Sequence, residues 1–304
     1  MNKRLYAASI LSAAALWGCI GVFLRGMTDL GLSSMQAMSA RTVFAAAVLL
    51  PVLWLRDRSL LRLERLSDLR YFFGTGILSL LFFNWCYFGA IKASSMSVAA
   101  VLLYLAPSFV VLFSAVLWKT PLTKRKLIAL VVSLLGCVMV SGILGGDMTA
   151  SWAGIGLGVL SGLCYASYTV FAHYGLAHYE SYTMIYWTFL VAGLGSIFFA
   201  DFKTLPLAFA STQGIVGVCG VVIVATVLPY IFYTKGLEGV ESGRASIITN
   251  IEPVVETLVG VFVFKEALTV WTVLGVACVF GCVILLAREG GNAPAAKEEA
   301  HGKA

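Results

Sequence analysis

Residues 245–269, ASIITNIEPVVETLVGVFVFKEALT, set two carboxylates, Glu252 and Glu256, and a proline, Pro253, in a stretch with no other charge before Lys265. The same pattern occurs earlier, at residues 99–123, AAVLLYLAPSFVVLFSAVLWKTPLT. Superposed, Ala99 falls on Ala245, Pro107 on Pro253, Leu112 on Leu258, Lys119 on Lys265, Leu122 on Leu268 and Thr123 on Thr269. Apolar sequences share some Leu and Ala by chance, but a common proline, lysine and Leu-Thr in one register exceed that. The match extends upstream, with Tyr87 on Tyr233, and after one deletion downstream, with Gly136-Cys137-Val138 on Gly281-Cys282-Val283. Val22-Phe23 likewise falls on Val170-Phe171, with Trp17 opposite Tyr165. The chain therefore reads as an internal duplication.

Outward from these stretches, ten apolar runs bounded by charge or turn residues span the chain. They are Leu5–Leu24, Ser34–Leu55, Tyr71–Ile91, Val98–Trp118, Leu127–Leu144, Gly154–Ala172, Tyr182–Ala200, Gly214–Tyr233, Ala245–Phe264 and Val270–Ala287. A membrane helix needs about 20 apolar residues and a barrel strand about half that, so the runs predict helices. With 60% hydrophobic and 12% charged residues in 304, a soluble globule is excluded. Each copy holds five runs, an odd number, so the second copy enters the membrane from the opposite side. The expected fold is an all-α integral membrane protein, with ten transmembrane helices as two inverted five-helix repeats around a central cavity. The repeats cover residues 5–144 and 154–287, and residues 288–304 form a small, polar tail expected to be disordered and cytoplasmic. Inverted halves are a hallmark of secondary transporters, in which two related conformations open one central site to alternate sides.

Lys and Arg fix the expected orientation. With the N-terminus in the cytoplasm, sixteen of the 21 fall on the inner side, including Arg56, Arg58, Arg62, Arg65 and Arg70 in one connection. Only Arg25, Lys92, Lys203 and Lys265 fall outside. Both termini are thus expected in the cytoplasm of a multi-pass inner or plasma membrane protein. The net charge of +6 lies in these connections and does not imply a nucleic-acid partner. The basic start and small residues of the N-terminus resemble a signal peptide, but nine further apolar runs favour an uncleaved first helix. The seven cysteines all fall in apolar stretches without metal-ligand spacing and read as free thiols. No cofactor or metal site is expected.

Arg41, Glu252 and Glu256 are the ionisable acid or base side chains well within the runs. Each costs about 2.5 kcal/mol or more in hydrocarbon, so such residues usually face a cavity or a partner. Arg41 lies about 10 Å from the outer end of its helix and has two readings, a cavity or ion-pair role and a side chain snorkelling outward. Glu252 and Glu256 have short stems, and their spacing of four puts them on one helix face. At about 12 Å from its outer helix end, Glu256 is level with Arg41, whereas Glu252, at about 18 Å, is near the midplane. The positions matching Glu252 and Glu256 in the first copy are Ala106 and Val110, so the acidic pair belongs to one half only. The expectation is that Arg41 pairs with Glu256 or holds a substrate carboxylate, while Glu252 binds a proton or a substrate ammonium, with Asn250 adding polarity. Pro253 and its counterpart Pro107 are either packed kinks or hinges of a broken binding helix. Trp85, Tyr87, Tyr168, Trp187, Tyr230 and Tyr233 punctuate the same helices. Trp17 with Tyr165, and Tyr104 matching Asn250, are the aromatic candidates to line the cavity. Gly154, Gly158 and Gly162 form a small-residue face suited to packing within the chain, and it also admits a homodimer.

These halves resemble the paired EamA domains of the drug/metabolite transporter superfamily over nearly the whole chain, from Leu5 to Arg288. The resemblance rests on Trp17-Gly18, Arg41, Pro107 with the basic connection at Lys119, Leu122 and Thr123, and above all Glu252-Pro253-Val254 with Lys265-Glu266-Ala267-Leu268-Thr269. The sequence departs from it at Thr120, where the family usually has an acidic residue. The resemblance implies a ten-helix basket with a central cavity, the fifth and tenth helices at the periphery, and export of amino acids or other small metabolites. No hydrolase, zinc or phosphate-binding signature is present, so an enzyme is not expected. The function expected is secondary active export of small polar metabolites such as amino acids by alternating access, with proton coupling through a carboxylate. The rival readings are a passive channel and a structural or sensory membrane protein.

Overall fold

The computed structural model describes residues 3–141, 143–145, 151–199, 206, 209–265 and 269–287; the expected C-terminal tail lies outside them. Ten helices follow one another among the described residues, without a strand. In the first half α1 comprises Lys3–Gly18 and Ile20–Thr28, and α2 is Ser34–Arg56. α3 runs through Leu69–Phe72, Phe73–Phe82 and Phe83–Ala93, α4 through Met96–Leu103 and Ala106–Leu117, and α5 is Lys124–Val140. In the second half α6 is Trp152–Gly175 and α7 is Ser181–Ser196. α8 runs through Thr212–Cys219, Gly220–Val227 and Leu228–Leu237, α9 through Ser242–Ile248, Thr249–Ile251 and Glu252–Phe264, and α10 is Val270–Ala287. Seven of these are long and apolar enough to cross a bilayer, and α5, α7 and α10 are shorter.

The residues shared by the two halves have the same work in each. Lys119 and Lys265 are the non-glycine residues with positive φ among those described, at 54° and 59°; Lys265 caps α9 in the left-handed conformation, and Lys119 directly follows the Trp118 cap of α4. Thr123 then caps α5, accepting from the Lys126 amide at 3.2 Å, and Thr269 caps α10, accepting from the Thr272 amide at 3.1 Å. The common Lys and Leu-Thr thus encode one stop and restart, used twice. Both α4 and α9 are interrupted midway, at Tyr104–Leu105 and at the tight turn Thr249–Ile251. Pro107 and Pro253 are each the second residue of the resumed helix, where a missing amide proton costs little.

A third pair of equivalents was not evident from the apolar runs. α3 over Phe73–Phe82 and α8 over Gly220–Val227 wind wider than an α-helix. The Phe171 ring of α6 lies against Gly74 of α3, and the Phe23 ring of α1 against Gly220 of α8, where a Cβ would collide with either ring. One contact is built twice, by residues that match in the duplication.

Connections gather at two ends. At one, Tyr179 bonds to Asp68, Lys126 pairs with Glu241, Trp118 stacks on His173 and Ser181 bonds to Glu238. At the other, Ser151 bonds to Ser94, Ser39 to Ser196, and Arg25 lies over Phe264. The Arg-rich connection belongs to the first, here called the basic end. α1 starts at the basic end and α6 at the opposite one, so the copies are inverted. The principal contacts are α1 with α8 and α9, α6 with α3 and α4, α2 with α7 and α8, α7 with α3, α4 with α9, and α5 with α10. Exchanging the two copies leaves this set unchanged. α5 and α10 pair with each other at the periphery, leaving Ile128, Val131, Leu135, Val273 and Ile284 exposed. The glycine face of α6 is filled within the chain, with Gly158 and Gly162 against Leu102 of α4.

Candidate functional site

Gly18 ends the first piece of α1 and brings it onto the break of α9. A Cβ there would lie 2.7 Å from the Glu252 carbonyl oxygen and 2.7 Å from Val255 Cβ. The preceding Trp17 is buried against α8, its ring 5.2 Å from that of Tyr230 and 5.4 Å from that of Tyr233. Tyr168 and Phe189 complete the cluster, each meeting Tyr230 edge-on at 5.1 Å. The hydroxyls around this cluster are paired, Tyr168 with Thr234 and Tyr233 with Thr169, both at 2.7 Å.

Arg41 is buried in α2 among Ala37, Met38, Ala40, Thr42 and Ala45. Its Nη1 donates to Met38 Sδ at 3.6 Å, its Cζ is 5.9 Å from the Tyr230 ring centre, and its Nε has no hydrogen-bond partner. The guanidinium is therefore under-satisfied, and it faces the aromatic cluster rather than solvent.

Glu252 is the first residue after the α9 break and is half-buried; its carboxylate accepts a long bond, 3.4 Å, from the Tyr165 hydroxyl. Tyr165 is itself held edge-on to Phe83 at 5.3 Å. One turn on, Glu256 is exposed. Tyr87 adjoins the Tyr165–Phe83 contact, its ring 5.9 Å from that of Phe83. Tyr104, half-buried, packs with Ala14, Ile251 and Val254. Side chains from seven helices thus share one neighbourhood: Trp17, Arg41, Tyr87, Tyr104, Tyr165, Tyr230 and the two glutamates.

Asn250 is placed differently. Its amide donates to Ser133 Oγ of α5 at 3.0 Å, so it ties the α9 break to the peripheral pair instead of facing the glutamates. Pro107 and Pro253 are buried at the two breaks. Tyr230, Tyr233 and Phe83 were not among the cavity candidates drawn from the sequence. The sequence marks Tyr230 and Tyr233 only as aromatics among many, because such residues are frequent in every run, and it does not single out Phe83. Among the described residues no group of three or more His, Cys, Asp or Glu could hold a metal ion.

Comparison with known proteins agrees with the geometry. An uncharacterized transporter of Archaeoglobus fulgidus is 30% identical over 290 residues, covering 93% of this chain and 96% of its own length. The uncharacterized inner membrane transporter YicL of Salmonella typhimurium is 24% identical over 283 residues, covering 91% and 93%. A protein of known crystal structure superposes with a TM-score of 0.76 at 18% identity, covering 92% of this chain and 95% of that one, a likeness of fold. The EamA-like transporter family matches twice, over residues 4–142 and 152–288, and this multi-pass membrane transporter belongs to it.

Proposed function

We propose that the protein is a secondary active exporter of small polar metabolites of the amino-acid class, working by alternating access at the site between α2, α6 and α9. The observation that carries this reading is the placement of an under-satisfied guanidinium, Arg41, and a half-buried carboxylate, Glu252, in one aromatic-walled neighbourhood. A zwitterion meets both: its carboxylate supplies the acceptor that Arg41 Nε lacks, and its ammonium offsets Glu252. When no substrate is bound, a proton can neutralise Glu252 instead, which couples transport to a proton gradient. Aromatic faces from Trp17, Tyr165 and Tyr230 suit an apolar or cationic remainder.

Two inverted copies support alternation, since the same contacts can be exchanged between halves. The basic end is taken as cytoplasmic, with both termini there, because the Arg-rich connection marks the inner side. The deciding measurement is counterflow in proteoliposomes: unlabelled amino acid inside should drive transient accumulation of labelled amino acid from outside. Saturable flux without counterflow would identify a channel, and absence of flux for every candidate would reject the reading.

A further inference from the structure

Burial is uneven along the bundle axis. In α9 the residues before the resumed helix, 242–251, are buried at every position but Arg244, whereas Glu252 is half-buried and Glu256 exposed. Phe83, Tyr87, Tyr104 and Tyr165, around the glutamates, are half-buried as well. On the basic side of them lies a sealed layer of Tyr168, Thr169, Tyr233, Thr234 and Ser246. Packing around the glutamates is thus looser on the side away from the Arg-rich connection, and the basic end is closely packed.

What holds the basic end together is a set of contacts between the two copies. Lys126, in the first turn of α5, pairs with Glu241, just before α9, at 2.8 Å, and the side chains are only 7% and 8% exposed. The same ammonium donates to the Pro121 carbonyl at 3.1 Å. Beside it Trp118 of the first copy stacks on His173 of the second at 3.9 Å, and His173 Nδ1 lies 3.2 Å from Ser242 Oγ. In a fold that never opened, apolar residues of similar volume would hold these elements as well as a buried ion pair, which loses hydration on both charges. At a mouth that opens, the pair has a use: both ions regain water on separation, so opening is less costly than exposing an apolar seam. Removing one partner, by contrast, leaves an uncompensated charge in the closed state alone.

We propose that the Lys126–Glu241 pair is a latch that holds the two copies together at the basic end and separates when the site turns to that side. This rests on the alternating-access reading above, and it names which contact must break. The test uses the full chain with its seven cysteines replaced by alanine and Ser246→Cys in the sealed layer. An impermeant maleimide is applied to right-side-out and to inverted membrane vesicles. The expected result is slow labelling in the otherwise unchanged chain. In Lys126→Met or Glu241→Gln, labelling from the side of the Arg-rich connection should be about tenfold faster or more. The exchanged pair, Lys126→Glu with Glu241→Lys, should return it towards the slow rate. Unchanged labelling in both single variants, or acceleration equal from the two sides, would overturn the latch. Glu241→Gln keeps the side chain's shape and decides the matter should Lys126→Met fail to assemble. Labelling needs no substrate, so it stands whatever counterflow shows, and a failure of the carrier reading is seen separately.

Discussion

Arg41 and Glu252 oppose charges in a region where each alone would cost about 2.5 kcal/mol or more, and neither is fully met by the protein. That shortfall is where binding energy can come from, because a buried polar group left unmade is paid for by whatever completes it. Glu252→Gln keeps the shape and removes the titrating proton. Counterflow by this variant should fall sharply or lose its pH dependence between about pH 5 and pH 8 while folding persists. Parent-like transport across that interval would make the carboxylate a packing feature. Arg41→Lys keeps the charge but not the planar fork; KM for an amino acid should rise about tenfold with kcat less affected. An unchanged KM would remove Arg41 from substrate recognition. Both residues were legible in the sequence, since an ionisable group in an apolar run stands out. Asn250 looked equivalent on paper, but whether an amide faces a cavity or the Ser133 hydroxyl is settled by the rotation of its helix, which the sequence does not record. The aromatic wall was hidden for a different reason, as Tyr230 differs from any other interfacial tyrosine only through the partners that tertiary packing brings.

At the scale of helices, the break of α9 and the end of α1 depend on one close approach. Because the atoms facing Gly18 include backbone, they cannot swing aside. Gly18→Ala should therefore destabilise the protein by about 1–3 kcal/mol, read as a lower Tm in detergent. Gly21, one turn on, has open space where a Cβ would sit, with nothing within 4 Å, and Gly21→Ala should leave Tm unchanged or raise it by the helix-interior preference of about 0.5–1 kcal/mol. Equal effects at the two positions would refute the account of the α1–α9 contact. The ten helices themselves followed from apolar run length, and the shared Lys and Leu-Thr found their physical basis in a left-handed stop and an N-cap. The wide winding of α3 and α8 did not follow, because nothing in FGTGILSLLF or GVVIVATV alone favours it. It accompanies Phe171 on Gly74 and Phe23 on Gly220, contacts distant in the chain that local propensity cannot anticipate.

For the whole molecule, the decisive property is the inversion of the two copies, which the proposed alternating access would use and which no single residue supplies. Five helices carry the first copy from the basic end to the other, so the second must begin where the first finished. Equivalent positions in the two copies then lie on opposite faces of the membrane. Leu66 and Thr212 are such a pair, each just before or at the start of the third helix of its copy, and both are exposed. Leu66 stands among Arg58, Arg62, Arg65 and Arg70, and under the orientation proposed from the positive-inside bias this connection would be cytoplasmic. In a chain freed of its own cysteines, Leu66→Cys should react with an impermeant reagent in inverted vesicles alone, and Thr212→Cys in intact cells alone. Labelling of both from the same side would mean that the copies are parallel in the bilayer, and alternating access by exchange of equivalent contacts would then have no structural basis. Labelling from opposite sides but with Leu66→Cys reactive in intact cells would keep the inversion and reverse the sidedness, turning the closely packed basic end outward and the looser side of the site towards the cytoplasm.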